Sequence, residues 1–313
     1  MTELHRFVFD GLPVRGQWVR LTEVWQELLR RRAANSRTGA YPPAVTELLG
    51  ELTAATVLLR LGVKFDGALA LHIQGEGPLK LAVAEVQADL RLRATATLTG
   101  AVPPGAGLPE LLDPHQGRCL VVLARHGQPP QQGTAALVDE DGAPLPNVAG
   151  VIEHYLRQSE QLDTTLVLAA DEQVAAGLLI QRLPAQAGKS QEQAEEDYRR
   201  IAWLAKTTRR PELLGLDCMT LLSYLFWQEK VMLLTPPPGA PVPRFACSCS
   251  RERMAAMLQG LGRQEVEAVL HSQQGSIEVG CDFCGYQQSF DAVDVETLFT
   301  PPQALVGGTQ TVQ

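Results

Sequence analysis

The apolar positions change period along the chain. Leu21, Val24, Trp25, Leu28 and Leu29 recur at helical spacing, as do Val45, Leu48, Leu49, Leu52 and Leu59 after Pro42-Pro43. Between 66 and 100 the period falls to two. Leu69, Leu71 and Ile73, then Leu79, Leu81 and Val83, then Leu90, Leu92, Ala96 and Leu98 alternate with small or polar neighbours, which predicts strands. Short apolar runs at 119–124, 165–170 and 177–183 predict more strands, and a helix over 148–158, with Asn147 placed to cap it, interrupts them. Strands dominate residues 1–184 and helices pack on the sheet, an α+β arrangement.

From 185 the character changes. Gly188-Lys189-Ser190 and the polar run Gln191-Glu192-Gln193-Ala194-Glu195-Glu196-Asp197 lead into Tyr198, Ile201, Trp203 and Leu204, then Leu213, Leu214, Leu216, Leu221, Leu222, Leu225 and Trp227. This pattern predicts several short helices over 185–235, broken at Pro211 and Gly215. About 50 residues are too few for a core of their own, so the apolar face must lie on the first domain. Pro236-Pro237-Pro238-Gly239, Pro241 and Pro243 form a stiff boundary. Beyond it, residues 236–300 read as a small α+β module: helices over 251–259 and 263–271 separated by Gly260 and Gly262, strands over 277–280 and 286–290, and a last helix to Phe299 capped by Asp291. The tail 301–313 reads as flexible.

Composition narrows the function. The chain has 313 residues, 45% apolar and 20% charged, with a net charge of −8. That is globular, and too acidic for a constitutive nucleic-acid binder, whose phosphate contacts need clustered Lys and Arg. No run approaches the ~18 apolar residues of a membrane span. Met1-Thr2-Glu3-Leu4-His5-Arg6 carries an acid and no long apolar stretch, so no signal peptide and a cytoplasmic address are expected.

Nucleotide and catalytic motifs are missing. Gly75-x-Gly77-Pro78 lacks the third glycine and following helix of a dinucleotide loop and reads as a hairpin turn. Gly188-Lys189-Ser190 lacks the earlier glycine of a phosphate loop, where Leu183 stands. His5, His72, His115, His126, His154 and His271 are scattered, and there is no defensible triad or carboxylate pair, so an enzyme is not expected. Cys119 and Cys218 sit in apolar segments and read as small buried residues. Trp203, Tyr224, Phe226 and Trp227 read as anchors of the linker on the core when it is closed and, compatibly, as a binding surface when it opens.

The strongest chemistry is in the last fifth. Four of the six cysteines form Cys247-x-Cys249 and Cys281-x-x-Cys284, two pairs separated by 31 residues. This matches a tetrathiolate zinc site, with four sulfurs at ~2.3 Å in a tetrahedron. In an extended segment Cys247 and Cys249 project to one side, while Cys281-Asp282-Phe283-Cys284-Gly285 has the form of a knuckle, with Gly285 in the left-handed position. The site is either a static staple or reactive. Zinc-bound thiolates are nucleophilic towards oxidants, and each pair is close enough to bridge locally. Zinc contributes on the order of 10–16 kcal/mol to small modules, whereas tiny disulfide loops restrict the unfolded chain little. Oxidative loss of zinc should therefore unfold this module. Two other readings stay open: a static zinc ribbon contacting nucleic acid or a protein partner, and a thiol-disulfide oxidoreductase using Cys281 and Cys284, for which the strand-to-helix context is missing.

Phe245-Ala246-Cys247-Ser248-Cys249-Ser250-Arg251-Glu252-Arg253, followed by Cys281-Asp282-Phe283-Cys284-Gly285, resembles the bacterial redox-regulated 33 kDa heat-shock chaperone family. Further matching stretches are Leu4-His5-Arg6, Val14-Arg15-Gly16, Lys64-Phe65-Asp66-Gly67, Gln74-Gly75-Glu76-Gly77-Pro78, Ser159-Glu160-Gln161-Leu162 and Leu183-Pro184-Ala185-Gln186. The stretch between Gln186 and Phe245 is longer than in that family. The resemblance implies an ATP-independent holdase for unfolded client proteins, with no nucleotide, nucleic-acid or membrane partner. It implies an inactive, monomeric, reduced form with one Zn²⁺ per chain on Cys247, Cys249, Cys281 and Cys284. Hypochlorous acid, or peroxide with heat, would convert these to the disulfides Cys247–Cys249 and Cys281–Cys284, release zinc, unfold module and linker, and give an active homodimer. On this reading 1–184 is the core, substrate-binding and dimerisation domain, 185–235 a metastable linker, and 236–300 the redox switch.

Overall fold

In the computed structural model, which describes residues 1–35, 38–184 and 190–300, the 20-residue helix Pro43–Gly62 is buried on nearly every side. A helix that is apolar all round needs a wall on each face, and two sheets supply them. The chain is α+β throughout. Its contacts divide it into two units, Met1–Ala246 and a second that begins at Cys247. Residues 185–189, where the linker was expected to start, and the tail 301–313 lie outside the described residues.

The first unit runs β1 (Glu3–Phe9), β2 (Val14–Leu21), α1 (Glu23–Ala33), α2 (Pro43–Gly62), β3 (Gly67–Gln74), β4 (Leu79–Gln87), β5 (Arg91–Leu98), α3 (Leu108–Leu112), β6 (Arg118–Arg125), β7 (Gln131–Ala136), α4 (Val148–Glu160), β8 (Thr164–Ala170) and β9 (Ala175–Arg182). It continues with α5 (Gln191–Lys206), α6 (Arg210–Gly215), α7 (Cys218–Leu225), β10 (Val231–Leu234) and β11 (Arg244–Phe245). The five-stranded sheet has the order β10-β1-β2-β9-β8, and the six-stranded sheet β11-β5-β4-β3-β6-β7. The main core lies between them around α2, from Trp25 and Leu28 through Leu49, Leu52 and Leu58 to Leu71, Ile73, Val86 and Ile152. Asn147 caps α4 as its sequence suggests, its Oδ1 accepting from the Gly150 N–H at 2.9 Å.

Three readings change. Leu21 belongs to β2, since its alternation with Val19 puts both on the inner face of a sheet. Gly75 and Gly77 do close the β3–β4 hairpin, but neither has positive φ. A Cβ at Gly75 would lie 1.8 Å from the Leu112 carbonyl oxygen, so close approach of α3 is what excludes a side chain there. The region read as purely helical ends in a strand: β10 pairs antiparallel with β1, with Phe9 opposite Val231 and Arg6 opposite Leu234.

The helices after 190 cover the outer face of the five-stranded sheet. Ile201, Ala205, Leu213, Leu221, Leu222 and Phe226 form a second core with Phe7, Phe9, Val14, Trp18, Leu178 and Ile180. Polar ties flank it. Lys206 pairs with Glu153 at 3.1 Å, Arg210 with Glu47 at 2.9 Å, and the Tyr198 and Thr165 hydroxyls lie 3.0 Å apart. Beyond β10, the chain crosses to the other sheet, where β11 lies parallel to β5 and the Ala246 N–H donates to the Leu92 carbonyl at 3.1 Å. The segment directly before Cys247 is thus stitched to one edge of each sheet.

The second unit has helices α8 (Arg251–Leu261), α9 (Arg263–Ser272) and α10 (Ala292–Phe299) and the hairpin β12 (Ser276–Gly280) with β13 (Gln287–Asp291). Gly260 lies inside α8, and the break falls at Gly262 with φ 92°. Asp291 caps α10, its Oδ1 accepting from the Asp294 N–H at 2.9 Å. Among the described residues, Met254, Leu258, Val266, Leu270, Ile277, Phe290 and Val295 make up its buried core. Seven side chains are a thin foundation for a unit of this size.

Candidate metal centre

Cys281 follows β12 and Gln287 opens β13, so residues 281–286 form the hairpin's turn. The Gly285 N–H donates to the Cys281 carbonyl at 2.8 Å, and the Cys281 N–H donates to the Tyr286 carbonyl at 2.8 Å. Gly285 has φ 72°, a conformation that needs no Cβ. Backbone N–H groups of Phe283 and Cys284 point at the Cys281 sulfur, and that of Cys249 points at Cys247. These bonds favour thiolate sulfur and are what a zinc knuckle supplies. On the other side, Ser250 caps α8 immediately after Cys249, its Oγ accepting from the Arg253 N–H at 3.3 Å. A helix start therefore fixes the Cys-x-Cys segment and a turn fixes the Cys-x-x-Cys segment.

The four Sγ atoms all lie within 4.8 Å of one another. Sulfurs of different pairs are in contact, Cys249 to Cys284 at 3.1 Å and Cys247 to Cys281 at 3.6 Å, and all four are free thiols. A tetrahedron with ~2.3 Å zinc–sulfur bonds has edges of ~3.8 Å, within the observed span. All four donors are sulfur, which suits zinc and not a hard cation. Charge tells the same story. Cys247 is drawn down to about 4, first by the hydrogen bond from the Cys281 thiol, whereas Cys249 is pushed up to about 12 by desolvation and then by Cys284. A thiolate at Cys247 raises Cys249 and Cys281 beside it. Several thiolates in contact require a cation to compensate them. The residues present fit a zinc ion.

Among the described residues this is the single group of three or more metal-ligating side chains close enough to share an ion, and no histidine belongs to it. Cys119 and Cys218 are elsewhere, buried, with thiols raised to about 12 by desolvation. Neither is placed for redox chemistry.

Sequence reasoning missed Arg251. Its guanidinium lies 4.6 Å from the Phe290 ring centroid, pairs with Asp294 at 2.7 Å and donates to Gln288 Oε1 at 2.8 Å. It ties α8 to the hairpin and to α10, two residues from Cys249. An arginine at fixed offset from a metal ligand was the available signal. Of the four linker aromatics, only Phe226 anchors, at 2% exposure; Trp203, Tyr224 and Trp227 are 70%, 67% and 76% exposed. On α5 and α7 the docking face is set by Ile201, Ala205, Leu221 and Leu225, and helical geometry turns Trp203 and Tyr224 away from it.

The fold and the thiolate centre define a two-unit protein with a zinc-competent terminal module. Comparison with known proteins agrees. The family described as Hsp33 protein matches residues 2–291. The 33 kDa chaperonin of Chromobacterium violaceum is 42% identical over 95% of this chain and 93% of its own, and that of Nitrosococcus oceani 41% over 95% and 94%. A crystal structure of the 33 kDa chaperonin (heat shock protein 33 homolog) of Thermotoga maritima superposes with a TM-score of 0.70 at 21% identity, covering 94% of this chain and 97% of that one. The chain belongs to the Hsp33 family, a family of chaperones. No described helix is long and apolar enough to cross a membrane.

Proposed function

We propose that this protein is a redox-regulated, ATP-independent holdase of the cytoplasm and not an enzyme. In the reduced form Cys247, Cys249, Cys281 and Cys284 hold one Zn²⁺, which supplies charge compensation and a covalent cross-link for a module with little core. The observation that carries the reading is the close all-sulfur cluster at the base of that small unit, in a chain of this family.

Oxidation takes two electrons from each pair of sulfurs and forms Cys247–Cys249 and Cys281–Cys284. Sulfurs of different pairs touch in the folded cluster, but once the scaffold loosens the shortest loops close first. The bridges leave no thiolates for a metal, and the module, residues 236–300, loses a stabilisation on the order of 10 kcal/mol. The linker, 185–235, is then held only by its own docking. Its strand β10 and the following β11 lie directly before Cys247, so a melted module pulls on both sheet edges. Release bares the outer face of the five-stranded sheet, with Phe7, Phe9, Trp18 and Ile180, for clients and for a second copy, and the monomer becomes a dimer through domain 1–184. Nucleotide and nucleic acid have no part in this cycle.

The test records zinc release, with a chromogenic chelator, and suppression of client aggregation, by light scattering, on one oxidised sample. Both should rise together on treatment with hypochlorous acid, or peroxide at mild heat, and both should reverse on reduction with zinc. Full zinc retention alongside unchanged activity would point to a static module instead.

A further inference from the structure

Strand β8 forms one edge of the five-stranded sheet, and α2 and α4 both pack on it. The Leu166 N–H donates to Glu153 Oε1 at 2.7 Å, and the Ala170 carbonyl accepts from Arg210 at 2.5 Å. In an antiparallel ladder alternate residues turn both backbone groups the same way, so 166, 168 and 170 all point away from β9. The Leu166 and Leu168 carbonyls lie between those two plugs, and neither has a hydrogen-bond partner among the described residues. A cavity of about 360 Å³ opens at this gap. Its walls are Glu51 of α2, Ala149 and Glu153 of α4, Leu166 and Leu168 of β8, and Lys206 of α5. It is roomier than the ~150 Å³ that holds an aromatic ring.

The positive groups around this cavity are committed. Lys206 pairs with Glu153 at 3.1 Å, and Arg210 of α6 forks onto Glu47 at 2.9 and 3.3 Å besides holding the Ala170 carbonyl. At the start of α4, the Gly150 N–H goes to Asn147 Oδ1 and the Val151 N–H to the Asn147 carbonyl. The negative side is not. Glu153 is spent on Leu166 and Lys206, but Glu51 has no hydrogen bond or ion pair among the described residues, although its carboxyl is largely buried and borders the open space. Burial raises it to about 7, with Arg210 opposing the rise and Glu47 adding to it. A buried acid in that state regains its charge when a cation comes beside it. A metal ion is the poorer match: among the described residues, only the four cysteines bring three ligating side chains within reach of one ion.

We propose that this cavity binds a small organic cation, a primary alkylammonium. Its N–H groups donate to the Glu51 carboxylate and to a carbonyl of the β8 edge, and its short aliphatic body lies along the Ala149 and Leu168 wall. Charge and hydrogen-bond donors are both required, because one answers the lone acid and the other the unpaired carbonyls.

Amide NMR titration of the reduced, zinc-loaded full chain tests this with three probes: butylammonium, tetramethylammonium, which keeps the charge but has no N–H, and butyrate, which reverses the charge. Butylammonium should shift the Ala149, Leu166 and Leu168 resonances saturably, with an affinity about tenfold or more above that of tetramethylammonium, and butyrate should leave them in place. Because Glu51 titrates near 7 and its charged form is the one that binds, butylammonium affinity should rise about tenfold between pH 6 and pH 8. Glu51→Gln keeps the shape of the side chain; it should weaken butylammonium about 10- to 100-fold and flatten the pH profile. Ala149→Leu keeps Glu51 but fills the cavity and should block binding, with the Pro43–Gly62 resonances of both variants showing that the core is intact. No saturable shift up to about 20 mM butylammonium, equal binding of butyrate, a flat pH profile in the wild type, or full binding by folded Glu51→Gln would overturn the proposal.

Discussion

Replacing Phe226 with alanine should loosen the linker while sparing the main core. Phe226 is 2% exposed; its ring meets Phe9 edge-on at 5.0 Å and 90° and lies 6.5 Å from Phe7. Truncating a phenylalanine so placed costs about 3–5 kcal/mol, of which the aromatic pairing accounts for about 0.5–1.5. Because Phe226 belongs to the second core and not to the one around α2, that cost falls on linker docking. At 1.4 kcal/mol per factor of ten, the undocked population rises from a hundredfold to a few thousandfold. Hydrogen exchange with mass-spectrometric peptides reads this directly. Amides of Val231–Leu234 and Cys218–Leu225 should exchange faster by that factor in Phe226→Ala, while those of Pro43–Gly62 keep their protection. The reduced, zinc-bound variant should also suppress client aggregation without oxidant. Unchanged exchange at Val231–Leu234, or equal acceleration at Pro43–Gly62, would refute the idea that the linker docks as a separable layer.

Other outcomes follow from particular contacts. Burial, opposed by Arg210 and reinforced by Glu47, raises the Glu51 carboxyl from 4.5 to about 7; a raised acid stabilises the fold below its unfolded value and loses that contribution as pH climbs through the folded one. The stability difference between wild type and Glu51→Gln, from urea melts, should therefore shrink in wild type's disfavour from pH 4.5 to 7; a flat difference contradicts the placement. Cys247→Ser should lower zinc affinity by at least about 10–100-fold, read by chelator competition, and make residues 247–300 protease-sensitive without oxidant. Gly75→Ala must displace the Leu112 carbonyl, since a Cβ would sit 1.8 Å from it; overpacking against backbone should cost about 1–3 kcal/mol, or roughly 3–10 °C in melting temperature.

The centre was legible because its chemistry is local. Cys247, Cys249, Cys281, Cys284 and Gly285 announce a knuckle by spacing alone, and caps such as Asn147 and Asp291 act over three residues. Elements whose partners are distant in sequence were harder to see. β1 and β2 carry His5, Arg6, Arg15 and Gln17 between their apolar positions, which blurs a period-two pattern, and β10 is a strand only because β1 lies 220-odd positions upstream. The exposed Trp203 and Trp227 misled for a related reason. Aromatic character marks burial on average, but here helix phase, set by Ile201 and Leu221, decides which side chains meet the sheet.

Zinc, and not the small apolar core, is what keeps residues 247–300 folded on the proposed reading. Amide NMR spectra of the full chain, reduced with zinc and then metal-free with both bridges formed, test it most directly. Dispersed resonances for Arg251–Leu261, Arg263–Ser272 and the β12–β13 hairpin should collapse to random-coil positions in the bridged protein and return on reduction with zinc. If the bridged, metal-free protein kept those resonances dispersed and exchange-protected, loss of the metal would not melt the module and the switch would have to be abandoned.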